Sequence, residues 1–335
     1  MRSVHRAAWL IVWLVGAGMA RGESISRLVV FGDSLSDVGN VYAATNGAIP
    51  APPYFNGRFS NGPVWVEHLA ARLNLAAPQP SFQGGLGCAY GGAETGTGFS
   101  PDGTLNLRTQ VDFYFLSHAP AASELFVVWA GGNDVANHLA DPTPPDTTAF
   151  VANVSAAISA LTTHGARRFL VANLPPVGSS PWARREGYQV KGDALVGQFN
   201  AALAAELAQL RTTLGVTIHE LDAAGLFAAG MANPAAFGLT NVTEAAYDAT
   251  TGNVVPNPQE YLFWDEIHPT ATAHAYLGAY AAAAVPEPSV VVLVLSGGLA
   301  LGAWLARAAA GARRRQGTPH GRNSFAANGP TRATA

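Results

Sequence analysis

Four apolar runs, each ending in a polar or glycine-rich turn, constrain this chain more than any other feature. They are Arg27–Phe31, then "ELFVVWAGGND" (Glu124–Asp134), "RRFLVANLPPVG" (Arg167–Gly178) and "VTIHELD" (Val216–Asp222). A strand that faces water on one side alternates apolar and polar residues. A strand buried on both faces reads as an unbroken apolar run. Between these runs lie segments with helical patterning: Asn61–Leu75 with Pro63 near its first turn, Leu107–Leu116, Thr147–His164 and Val190–Leu214. A last helix is expected over Thr270–Ala283. Buried strands alternating with helices predict a parallel sheet covered on both faces. Ligands bind beyond the carboxyl ends of the strands in such sheets. The polar turns after Phe31, Ala130 and Ala172 therefore share one edge. The Gly/Pro/Asn-rich stretches 40–62, 76–104 and 230–260 are expected to be long loops over that edge.

Charge is distributed unevenly. Residues 1–22 hold three Arg and no acid, and residues 286–335 hold six Arg and one Glu. The body between them carries ten basic and 21 acidic side chains, a net of −11. A body this acidic, with Lys191 as its one lysine, argues against nucleic acid as a partner. The lone cysteine, Cys88, excludes an internal disulfide and a cysteine-built zinc site.

Both termini read as addresses. Residues 1–22 combine Arg2 and Arg6 with an apolar run from Ala7 to Ala20 and then small residues, the layout of a secretory signal peptide. Cleavage is expected near Ala20 or Gly22. Val290–Ala306 is apolar and sits at the lower length limit for a spanning helix. Arg307 and Arg313–Arg315 follow, a bias that holds that side in the cytoplasm. The order Pro286-Glu287-Pro288, apolar helix, arginine cluster resembles a PEP-CTERM sorting signal of Gram-negative bacteria. That resemblance implies processing by an exosortase and membrane contact through the helix beforehand. The expected layout is thus a signal peptide (1–22), an exported body (23–285), a sorting signal with a transmembrane helix (286–315) and a polar, disordered tail (316–335). The destination would be the periplasm, cell surface or extracellular matrix.

The chemistry is spread along the body. Ser34, in "VVFGDSLSDVGN", follows the first strand directly and could stand exposed at the sheet edge. No G-x-S-x-G elbow occurs in the chain, which disfavours an α/β-hydrolase. Asp265 and His268 are three apart in "WDEIHPTATAHAYL", a spacing that lets one turn set a carboxylate against an imidazole. Asn133, in "GGNDV", ends the strongest strand, and its amide can donate to an oxyanion. Read alone it is as easily a turn residue. The glycine-rich stretch Gly87–Gly98 could bring a backbone N–H close to a substrate. It lacks the Gly-Lys-Ser/Thr of a phosphate loop.

These four pieces, in this order, resemble the GDSL branch of the SGNH hydrolases over residues 23–285. "RFSNGPVWVEHLA" and "NLPPVG" also resemble stretches of those enzymes. The resemblance implies a three-layer α/β/α sandwich with a mostly parallel, five-stranded, flavodoxin-like sheet. It implies Ser34 as nucleophile, His268 as general base and Asp265 as its partner. Ser34 N–H, Gly92 N–H and Asn133 would form the oxyanion hole. The family's glycine loop begins Asn-aromatic-Ala and here reads Gly87-Cys88-Ala89, so Gly91 stays an alternative to Gly92. Asp33, Asp37 and Asn40 are expected to brace the turn. Cys88 reads as a packed thiol, Trp129 and Trp264 as core, and the histidines other than His268 as surface or packing residues. The expected activity is a carboxylic-ester hydrolase, esterase or lipase, acting on a small-molecule or lipid ester without metal or cofactor. A carbohydrate O-acetylesterase acting on exopolysaccharide and a non-catalytic matrix-binding protein are the alternatives.

Overall fold

A computed structural model describes residues 24–285. The segments expected to be export signal, sorting signal and polar tail lie outside the described residues. Among the described residues no helix is long and apolar enough to cross a membrane.

In chain order the elements are β1 (Leu28–Gly32), α1 (Asn40–Ala44), α2 (Trp65–Arg72), α3 (Leu107–Phe115), β2 (Leu125–Trp129), α4 (Gly132–Asn137), α5 (Thr147–Thr163) and β3 (Arg168–Ala172). Then follow α6 (Pro181–Arg185), α7 (Gln189–Leu214), β4 (Thr217–Leu221), α8 (Ala223–Ala232), β5 (Asn241–Ala245), β6 (Tyr247–Asp248), β7 (Asn253–Val254), β8 (Tyr261–Phe263) and α9 (Ala271–Ala284). The four apolar runs form the main sheet, β1-β2-β3-β4, and every neighbour in it is parallel. All residues of β1 and β2 are buried, as unbroken apolar runs require. The edge strand β4 departs from this: Thr217 is exposed, while Ile218 and Leu221 point inward.

Side-chain alternation shows that the two faces carry different helices. Phe126 meets Tyr114 of α3 edge-on, with ring centroids 6.4 Å apart. Trp129, an odd number of positions further along β2, meets Trp65 of α2 at 5.4 Å. Helices α3, α5 and α7 pack in succession on one side, and α2 packs against α9 on the other. Three layers result, as expected.

Among the described residues the expected fifth strand is reduced to a single bridge. Beside β1 the chain makes a single parallel bridge, Val30 to Gly87. Val30 N–H donates to Leu86 O (2.9 Å) and Cys88 N–H to Val30 O (2.6 Å). The surrounding sequence, "QGGLGC", explains the shortness. Glycine brings no side chain to pack and weakens a strand interior. A Cβ on Gly85 would lie 2.1 Å from Gln79 O, and one on Gly87 would lie 2.4 Å from the Val38 side chain. Counting this one-bridge segment, the order is 2-1-3-4-5, the flavodoxin-like arrangement.

Two further differences matter for the site. Gly131-Gly132 is not a bare turn: Gly131 takes φ 119 and the chain enters α4 at once, with Asn133 in its first turn. Helix α2 starts at Trp65, not Asn61. The residues before it are used elsewhere. Ser60 Oγ donates to Pro269 O (2.9 Å), and Asn61 Oδ1 accepts from Ala271 N–H (2.7 Å). Gly62 lets α9 approach, since a Cβ there would meet the Ala271 Cβ at 2.5 Å. "RFSNG" therefore clamps the chain just past His268. The 230–260 stretch also carries structure the sequence does not advertise, in β5 paired with β8 and the hairpin β6–β7.

Candidate active site

Ser34 follows β1 by two residues and is buried. Gly32 makes the approach possible, because it holds φ 148 and a Cβ there would lie 2.1 Å from Trp129 O. From the far end of the body, 234 residues on, His268 reaches Ser34 with Nε2 2.9 Å from Oγ. His268 Nδ1 lies 2.7 Å from Asp265 Oδ2. Asp265 Oδ1 accepts from Ile267 N–H (2.9 Å) and His268 N–H (2.7 Å), so the carboxylate closes its own turn. That turn hangs between β8 and α9. Trp264 N–H donates to His268 O, Thr270 N–H to Leu262 O, and Thr270 Oγ1 accepts from Ala273 N–H to cap α9. The three-residue spacing works as expected, and the three side chains form one hydrogen-bonded line.

Burial alone would push the Asp265 carboxyl up. The charge of His268 and hydrogen bonds from His268 and Tyr54 outweigh it and hold the group below its ordinary value. Tyr54 is the site residue that sequence reasoning missed. Its hydroxyl donates to Asp265 Oδ2 at 2.6 Å.

The glycine loop is tied to the Ser34 turn from both ends. Tyr90 N–H donates to Gly32 O (3.1 Å). Asn40 Nδ2 donates to Gly87 O (2.6 Å) and Ala89 O (2.8 Å), and its Oδ1 accepts from Phe82 N–H. Fully buried Asp37 accepts from Gly39, Asn40 and Val41 N–H and, across the loop, from Gly91 N–H at 3.0 Å. Gly91 N–H is thus committed to Asp37. Gly92 N–H and Ser34 N–H make no hydrogen bond among the described residues. One residue further, Ala93 O accepts from Asn133 Nδ2 at 2.8 Å. That bond uses one of the two Asn133 amide hydrogens and leaves the second. Gly92 takes φ 78, which a side chain would oppose. Gly92 therefore sits between a residue pinned to Asp37 and one pinned to Asn133.

Three buried carboxyls surround this arrangement. Burial raises Asp33 to about 7, with Leu35 N–H and His268 partly offsetting it. Burial raises Asp37 to about 6 against its four N–H donors. It also raises Asp134 to about 6, although Thr95 donates through both N–H and Oγ1. Burial pushes the Cys88 thiol up to about 12, so it stays protonated, in keeping with a packed thiol. Among the described residues no group of three His, Cys, Asp or Glu side chains is placed to hold a metal ion.

Two spaces open here. A cleft of about 90 Å³ is lined by Ser34, Asn133, His268, Pro175, Pro176 and Phe227, among others. A cavity of about 960 Å³ lies against Gly91, Gly92 and Phe59 and extends to Phe82, Phe99, Phe113 and Leu116. Phe59 lines the larger cavity, and its ring centroid lies 5.2 Å from that of His268, which lines the cleft.

Residues 28–281 match the family model described as GDSL-like Lipase/Acylhydrolase. The chain belongs to this family. Among curated relatives of this GDSL member is a phosphatidylcholine-sterol acyltransferase of Aeromonas hydrophila, 30% identical over 320 residues, covering 82% of this chain and 93% of that protein. Another is a thermolabile hemolysin of Vibrio parahaemolyticus, 28% identical, covering 79% of this chain and 65% of that one. Solved structures similar to it include a carbohydrate acetylesterase from Sinorhizobium meliloti (18% identity, TM-score 0.45, 76% of this chain and 96% of that one). An aryl esterase of M. smegmatis aligns at 17% identity with TM-score 0.45, over 77% of this chain and 97% of that one. Membership of the GDSL family makes the protein a hydrolase of ester bonds.

Proposed function

We propose that the protein cleaves carboxylic esters through an acyl-serine intermediate. The observation that carries this is the line Ser34 Oγ, His268, Asp265, with contacts of 2.9 and 2.7 Å. His268 Nε2 takes the Ser34 proton as Oγ attacks the ester carbonyl, and Asp265 keeps the proton on Nδ1 and steadies the imidazolium. Ser34 N–H, Gly92 N–H and the second amide hydrogen of Asn133 receive the oxyanion. Collapse expels the alcohol, which takes the proton from His268. A water, deprotonated by His268, then releases the acid and restores Ser34.

The substrate we infer carries an apolar acyl chain. The cavity beside Gly92 is at the upper end of the usual ligand-pocket range of roughly 300–1,000 Å³. Its rim bears Phe82, Phe99, Phe113 and Leu116, all exposed to solvent. An O-acetyl group would use none of that space. The small cleft at Ser34 is the feature that favours the second reading, a carbohydrate O-acetylesterase. We infer further that the body is exported and its C-terminus processed by an exosortase. This rests on the arginines and apolar run of residues 1–22 and on the Pro-Glu-Pro, apolar, arginine order of residues 286–315.

A p-nitrophenyl ester series from acetate upward tests the substrate. The expected result is rising kcat/KM with acyl length. Highest activity on acetate, with acetate freed from acetylated polymer, would favour the second reading. Ser34→Ala should abolish both turnover and labelling by a fluorophosphonate. Full activity in that variant would refute the mechanism.

A further inference from the structure

Asp265 Oδ2 receives two side-chain donors, His268 Nδ1 at 2.7 Å and the Tyr54 hydroxyl at 2.6 Å. With the two backbone donors on Oδ1, all four lone-pair sites of the carboxylate are filled. Tyr54 comes from the loop between α1 and α2 and is held on three sides by rings. Phe59, Tyr247 and Trp264 meet it edge-on at 6.4, 5.6 and 6.1 Å. Phe59 also packs on His268, and Tyr247 stacks on Trp264 beside Asp265. The phenol is therefore aimed by packing. Burial and the charge of Asp265 raise its pKa, so it remains a donor at working pH.

We propose that Tyr54 is a positioning residue that sets how strongly Asp265 holds the proton on His268, a role that rests on His268 being the general base. A donor on Oδ2 draws negative charge away from the oxygen that faces the imidazole. Without it, the same carboxylate attracts the imidazolium more strongly, and His268 releases its proton less readily. The hydroxyl thus keeps the base active at lower pH and fixes the Oδ2 direction. The other titratable groups nearby are Asp33 after β1 and His274 on α9, which face His268, and Tyr247 on β6, which faces Tyr54. Glu266, next to Asp265, is occupied by Arg185 at the surface.

The test is Tyr54→Phe, which keeps the ring and its packing and removes one oxygen. Two readouts are taken on the full chain: the pH profile of kcat/KM, and the low-field proton resonance of His268 Nδ1–H. The acid limb should move up by about half to one pH unit, and the resonance should move with it. A thermal melt compared with the parent's verifies that the variant is folded. A resonance that stays in place overturns the proposal whatever the profile does. If Ser34→Ala instead keeps the parent's turnover, the hydrolytic reading fails. The resonance still decides whether Tyr54 acts on the Asp265–His268 bond.

Discussion

Replacing Asp37 with Asn tests whether the glycine loop proposed to bind the oxyanion is held by one buried carboxylate. The side chain is fully buried. Its Oδ1 takes Gly39 N–H (2.7 Å) and Asn40 N–H (2.6 Å), and its Oδ2 takes Val41 N–H (3.3 Å) and Gly91 N–H (3.0 Å). In Asp37→Asn the amide keeps its oxygen at the Oδ1 position, where the two contacts are shorter, and its NH₂ group takes the Oδ2 position, facing Val41 and Gly91 N–H. Each buried group left unsatisfied costs about 1–3 kcal/mol, so the loss is roughly 2–6 kcal/mol. A second effect opposes it. Burial raises Asp37 from 3.8 to about 6. The folded parent therefore binds more protons than the unfolded chain in that window, and its stability falls as pH rises from about 4 to 6. The fall is worth up to about 3 kcal/mol and is absent in the variant. The variant should be less stable than the parent near pH 4, with much of the deficit recovered at pH 8. Activity should not recover, because the Gly91 tether is missing at every pH. The ceiling on that loss is the value of one oxyanion donor, about 10²–10³ in kcat. Denaturant unfolding at the two pH values and turnover of p-nitrophenyl butyrate at pH 8 measure both effects. A folded variant whose kcat at pH 8 stays within about twofold of the parent would refute the reasoning.

Asn133→Ala removes the side-chain donor and should lower kcat by about 10²–10³. Its stability should drop by only about 1 kcal/mol for the lost bond to Ala93 O, so kinetics and unfolding together separate the two roles. Asp33→Asn should flatten the pH dependence of stability. The parent loses up to about 4 kcal/mol as pH rises from 3.8 to about 7, so the variant's relative stability should climb over that range in urea titrations. Gly32→Ala places a Cβ 2.1 Å from Trp129 O at φ 148, and a destabilisation above about 4 kcal/mol should show as loss of soluble protein.

The sheet and its binding edge were legible because they rest on local patterns. Short unbroken apolar runs rich in β-branched and aromatic residues, such as Leu125–Trp129, read as strands buried on both sides, and each carries its polar turn with it. The Asp265–His268 contact was legible for the same reason, since three residues span one turn. The reduced fifth strand was also written locally, in Gly84, Gly85 and Gly87, but a strand count taken from family resemblance passes over such detail.

Other features had no local signature. Asn133 reads equally well as a turn residue or as the first turn of a helix. Gly91 and Gly92 are indistinguishable until Asp37, 54 residues away, takes one of their N–H groups. Tyr54 is one more aromatic in a Pro-rich loop until folding brings it to Asp265, 211 residues on. The sequence by itself determined the layers, the edge that carries Ser34 and Asn133, and the Asp265–His268 contact on its turn, because helix and strand periods and one-turn hydrogen bonds depend on neighbours in the chain. Tertiary structure alone decided which N–H stays open, which carboxyl is charged and which phenol meets Asp265. Those outcomes depend on burial and on contacts across hundreds of residues, set by the packing of the whole body at once.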